Sequence, residues 1–186
     1  NTTTLSLPWD DQPDAADPLR PGPIGEYLEV IDVDPASDRV YDPLDLNGKT
    51  LLAQDGLAPS EGNPQFHQQM VYAVASLTIR NFERALGRRS LWRHGPAPKG
   101  KDDKNDSTFV QRLRIYPHAL REENAYYSPA KVALLFGYFP VASKDEDNTP
   151  GTVVFTALSH DIVAHETTHA LLDGVRAITA AHLHRL

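Results

Sequence analysis

His165, Glu166 and His169 stand in the order His-Glu-x-x-His, inside the stretch SHDIVAHETTHALLDG at 159 to 174. On a helix of about 3.6 residues per turn, positions four apart share one face, so this spacing brings two imidazoles to a common point. Neutral imidazole is a good zinc ligand. A carboxylate on the residue after the first histidine can reach a water on that metal without binding the metal itself. The chemistry this implies is hydrolysis, with Zn2+ held by His165 and His169 and with Glu166 as general base, later returning the proton to a leaving amine. Asp173 lies four residues beyond His169 and returns to the same face, where it is expected to accept a hydrogen bond from a ligand histidine and orient it.

A helix must carry these residues, and its flanks suit one. Thr156 or Ser159 can cap its start, Ile162, Val163, Ala170, Leu171 and Leu172 supply apolar positions, and Gly174 suits its stop. A second helix is predicted over 63 to 87, with Asn63 as cap, Pro64 at the first position, and Phe66, Met70, Val74, Leu77, Phe82 and Leu86 as its apolar stripe. Arg80 and Arg84 lie toward its negative end and Gly87 suits its stop. Between the two helices, alternation in FVQRLRIYP (109 to 117), the aromatic NAYYS (124 to 128), the apolar KVALLFGYFPV (131 to 141) and TVVF (152 to 155) read as strands. The charged stretches at 95 to 107 and 143 to 151 read as a loop and a turn. The expected fold is α+β, a mostly antiparallel sheet with a long helix and the His-Glu-x-x-His helix packed on it.

Residues 1–62 hold eight of the 15 prolines and many acids, and they read as an extended, surface-wrapping arm with a short strand in EYLEVIDV at 26 to 33. Residues 63–186 then form the catalytic lobe. With 18 Lys and Arg against 25 Asp and Glu, a formal charge of -7 and no long basic run, nucleic acid is not an expected partner. The chain has no cysteine, which excludes disulfides, thiolate zinc clusters and cysteine nucleophiles. No apolar run reaches the length of a membrane span, and NTTTLSLPWD lacks the blocks of a signal peptide. His67, His94 and His118 are scattered and are expected at or near the surface, and the basic RRSLWRHG (88 to 95) is explained by its place at a helix end.

DIVAHETTHALLD at 161 to 173 resembles the active-site helix of the thermolysin-like zinc peptidases, the gluzincins, including an Asp at the place of Asp173. NAYY at 124 to 127 is similar to the Asn-Ala-aromatic edge strand of that family. The resemblance covers about residues 63 to 174. It implies a zinc metallopeptidase acting on peptides or proteins, an N-terminal zincin-like lobe, and substrate-binding roles for the Asn124 side chain and the Ala125 carbonyl. An exposed strand edge that pairs with an extended peptide suits such roles physically.

The resemblance stops after Gly174. The family takes its third zinc ligand from a Glu about twenty residues past the second histidine, as part of a His2Glu set, whereas GVRAITAAHLHRL at 174 to 186 has no acid. The alternative His-x-x-Gly-x-x-His continuation fails at Leu172 and Val175. His182 and His184 are the late donors, usable if the helix breaks at Gly174 and the tail folds back. The chain therefore reads as the first part of such a peptidase, cut after its active-site helix by proteolysis or a shifted reading frame, with weak zinc affinity and little activity. The competing expectation is a degenerate, non-catalytic domain that keeps the helix for packing and acts as a binding module.

Overall fold

The computed structural model describes residues 4–6, 19–95, 109–142 and 149–183, with side chains through 177 in the last helix. The architecture is α+β. The main sheet runs in the order β1 (Leu28–Val30), β4 (Leu113–Leu120), β6 (Ala133–Pro140), β5 (Ala125–Ser128), with β7 (Val153–Phe155) also paired to β6. Strands β2 (Val33–Asp34) and β3 (Arg39–Val40) form a separate small ribbon. The expectation of a mostly antiparallel sheet is corrected to a mixed one. β1 and β4 are parallel, as are β4 and β6, while β5 and β7 run antiparallel to β6.

Two physical reasons account for the difference. The connection from β1 to β4 is long and includes a helix, as a parallel crossover needs. Beyond β4, strands that are neighbours in sequence invite a meander, but β6 is buried along most of its length and takes the central place, leaving the half-polar β5 at the edge. The prolines of the first 62 residues do not keep that segment off the core, because Leu28, Val30 and Leu44 are all buried. The loop expected at 95 to 107 and the turn at 143 to 151 lie mostly outside the described residues. Among the described residues, no helix is long and apolar enough to cross a membrane.

After a short helix α1 (Lys49–Ala53), α2 (Pro64–Leu86) begins and ends where its sequence says it should. Asn63 Oδ1 accepts from the Gln65 amide at 3.1 Å, and Gly87 closes the helix in the left-handed conformation at φ 65. The buried face is rotated from the predicted stripe. It consists of His67, Gln68, Val71, Tyr72, Val74, Ala75 and Ile79, while Leu86 is exposed. Two polar residues sit on that face because they find partners inside, which a count of apolar positions cannot anticipate.

The His-Glu-x-x-His helix, α3 (His160–Leu183), is capped by Ser159, whose Oγ accepts from the Ile162 amide at 3.4 Å. Gly174 does not end it. The helix runs on to Leu183, and a Cβ at 174 would collide with the Leu91 carbonyl. This glycine therefore serves a close crossing of the 88–95 segment over α3. An unbroken helix also corrects the fold-back expectation for residue 182, whose backbone is carried about 20 Å along the axis from His169. His184 lies outside the described residues.

His67 and His118, expected near the surface, are both fully buried and form the centre of a polar chain. His67 Nε2 lies 2.9 Å from the Glu61 carbonyl oxygen, which can only accept, so that nitrogen carries the hydrogen. His67 Nδ1, 2.8 Å from His118 Nε2, is then the acceptor. His118 donates there, and its Nδ1 faces Asp32 Oδ1 at 2.6 Å, so a proton must lie between those two groups as well. Gln68 completes the cluster, donating to Asp32 Oδ2 at 2.8 Å and accepting from the Leu44 amide at 2.8 Å. Such a network is stabilising only when every member is satisfied, and these are. The Phe155 ring packs on both histidines and immediately precedes the 3-10 turn (Thr156–Leu158) that leads into α3. The cluster thus fixes where α3 starts.

Burial, with the charge of His118 beside it, lowers the His67 pKa from 6.5 to about 4. The unfolded chain therefore takes up a proton that the folded one refuses, and this contribution to stability is complete above pH 6.5 and lost as the pH falls toward 4. The full loss is worth roughly 3 kcal/mol. Urea unfolding between pH 7 and 4 should show a wild-type stability slope steeper than that of His67→Gln by about one proton; equal slopes would contradict the assignment.

Candidate functional site

Helix geometry does at residues 165 and 169 what the spacing promised. The two Nε2 atoms are 3.0 Å apart, with the rings nearly perpendicular at 87°. Both histidines are exposed, so the shared point opens to solvent. Two nitrogens each ~2.0–2.1 Å from a tetrahedral zinc would lie about 3.3 Å apart, so the observed separation suits a common cation with a small adjustment. The imidazole pair fits one side of a zinc site. Among the described residues, no group of three or more His, Cys, Asp or Glu is placed to complete it.

Glu166, unlike its two neighbours in the motif, is buried. It is only 9% exposed, and its Oε2 accepts from the backbone amide of Tyr127 at 2.9 Å. Strand β5 is therefore docked on α3 through the carboxylate itself.

In a strand, the N–H and C=O of one residue point to the same side, and the side alternates with each residue. Because the Tyr127 amide points away from β6 toward Glu166, the backbone groups of Ala125 also point to that outer edge. Asn124, just before the strand, has an exposed side chain. Its backbone is pinned, the amide donating to the Glu122 carbonyl at 2.9 Å, while its carbonyl lies 3.4 Å from Thr156 Oγ and shares that hydroxyl's one hydrogen with a closer acceptor. Through the Tyr127–Glu166 bond the edge strand, with Asn124 and Ala125 at its start, is gathered onto α3, the helix that carries the two histidines.

That gathering depends on a glycine. Residues 121 to 124 carry the chain from β4 on one side of β6 to β5 on the other, and they cross β6 at Gly137, where a Cβ would collide with the Glu122 and Asn124 carbonyls. Thr156 locks the crossing from below, its Oγ accepting from the Gly137 amide at 3.0 Å and donating to the Gly137 carbonyl at 2.9 Å. Of the two residues expected as possible caps of α3, Ser159 takes that place and Thr156 clamps the sheet.

Asp173, expected to orient a histidine, is engaged elsewhere. Its Oδ2 accepts from the Tyr127 hydroxyl at 3.0 Å and its Oδ1 pairs with Arg93 at 3.3 Å. Burial, and next the bond to Asp173, push the Tyr127 pKa up, so the phenol stays a donor. Tyr127, Thr156, Gly137 and Arg93 are site residues that reasoning from the motif did not reach. Tyr127 could have been reached by alternation, since it faces the same edge as Ala125. The basic segment at 88 to 95, read as a helix end, is instead the strand of chain that crosses α3, with Trp92 buried and its Nε1 donating to the Tyr27 carbonyl at 3.0 Å.

A groove of about 860 Å³ lies on the other face of the sheet, where Arg114, Tyr116, Tyr126 and Lys131 line it and the motif residues do not. Compared with known proteins, the chain matches no family model, no curated protein and no solved structure.

Gly137→Ala should force the 121–124 crossing outward and cost roughly 1–3 kcal/mol of stability. Urea unfolding at pH 7 measures it, and a variant as stable as wild type would show that the crossing does not need the glycine.

Proposed function

We propose that the chain is the zinc-binding lobe of a peptide-bond hydrolase of the gluzincin kind. The observation that carries this reading is the arrangement of the motif on α3. Two imidazole nitrogens converge within 3.0 Å on the open face, while the intervening carboxylate is buried against an edge-strand amide at 2.9 Å. A helix kept only for packing has no need to aim two histidines at one point in solvent.

In this mechanism His165 and His169 hold the metal. Zinc, when bound, supplies Lewis-acid activation of a water and of the substrate carbonyl. The rest is done by the chain's own groups. The start of the outer edge of β5, ahead of the Tyr127 amide that Glu166 takes, pairs with an extended peptide, with the Ala125 carbonyl and the Asn124 side chain as its acceptor and donor. Glu166, anchored through Oε2, takes the water's proton on Oε1 and returns it to the departing amine. A non-catalytic module using the same helix is the competing reading, and metal binding and hydrolysis separate the two.

His165→Ala should abolish the weak zinc binding that the wild-type chain shows in a calorimetric titration. Glu166→Gln should bind zinc as wild type does, yet lower the hydrolysis of a casein substrate by about 10²–10⁴-fold. A wild-type chain that binds no zinc, or a Glu166→Gln variant as active as wild type, would refute the proposal.

A further inference from the structure

Glu166 and Asp173 are seven positions apart, about two helical turns, so their carboxylates line up on one face of α3. One residue bridges them. Tyr127 gives its backbone amide to Glu166 Oε2 at 2.9 Å and its hydroxyl to Asp173 Oδ2 at 3.0 Å. It therefore lies along the helix like a rung, fastened at both ends to charged acceptors, and such bonds are stronger than neutral ones.

We infer that Tyr127, Asp173 and Arg93 form a brace that fixes the Glu166 carboxylate, and that they are positioning residues for the general base; this rests on the reading of Glu166 given above. The need for a brace follows from the sheet. β5 has four residues, pairs on one side only with β6, and meets α3 on the other. Short edge strands are where sheets open most readily, and the Tyr127 amide would leave Glu166 whenever β5 lifted. The phenol bond to Asp173 ties the same residue to the helix two turns away, so the strand cannot peel from α3 at 127 without breaking a second contact.

The third member orients the second. Arg93 reaches Asp173 Oδ1 at 3.3 Å from the segment that crosses α3 over Gly174, and the buried Trp92 beside it fixes that segment. The arginine side chain is 49% exposed, so this ion pair contributes little energy of its own. The order of importance is therefore Tyr127 hydroxyl, then Asp173, then Arg93.

Amide hydrogen exchange in the full chain without metal tests the brace directly. Tyr127→Phe should accelerate exchange at residue 127 by roughly tenfold or more, while the amides of Tyr126 and Ser128, which face β6, stay within about twofold of wild type. Asp173→Asn, which keeps the shape of the side chain, should do the same to a smaller extent, and Arg93→Met least. With zinc present, the same variants should lower kcat and leave KM within about twofold, as expected when a group acting in the transition state is displaced. Unchanged exchange at 127, or equal acceleration at 126, 127 and 128, would overturn the brace in favour of general packing. A wild-type chain without hydrolytic activity would count against the proposed function, while exchange at 127 would still decide whether the brace exists.

Discussion

Strand β6 can have β4 on one side and β5 on the other only because the chain passes over it at a residue with no side chain. Gly137 is that residue, and both of its backbone polar groups are taken by Thr156 rather than by a neighbouring strand. The crossing sets the height at which Asn124 and Ala125 enter the edge strand. Thr156 then leads through the 3-10 turn into α3, so one hydroxyl relates the start of the edge strand to the start of the motif helix. Sheet and helix are indexed to each other before any side chain of the motif is considered.

A second layer of constraint comes from the interior. The chain of bonds from Glu61 through His67 and His118 to Asp32 joins the loop before α2, the helix itself, β4 and the N-terminal segment. Its members are too polar to be buried without one another, which makes the arrangement specific as well as stabilising. Phe155 reads that arrangement out to the site, since its ring rests on both histidines one residue before the turn into α3.

How much of this the sequence discloses depends on whether the determinant is local. The limits of α2 are written in Asn63, Pro64 and Gly87, and the pairing of His165 with His169 in their spacing, because caps and helical periodicity act within a few residues. The central place of β6 could be suspected from its apolar run. The parallel pairings, the crossing at Gly137 and the role of Gly174 could not, because each depends on what lies opposite in space. Gly174 is instructive here. A glycine after a helical stretch suggests a stop, and only the position of Leu91 shows that it marks a contact instead. His67 and His118 were hidden for the same reason, being 51 positions apart in the chain and 2.8 Å apart in the fold.

The contact at Gly174 also has a mechanical side. Because α3 is continuous there, Glu166, both histidines and Asp173 ride on a single rod, and the segment at Leu91 lies hard against it. His169 stands ~7.5 Å from that point along the axis and His165 ~13.5 Å. The rod is held before His160 by Phe155 and Thr156 and again at Gly174 by Leu91, so both imidazoles sit on the span between two supports and keep their aim as well as their separation.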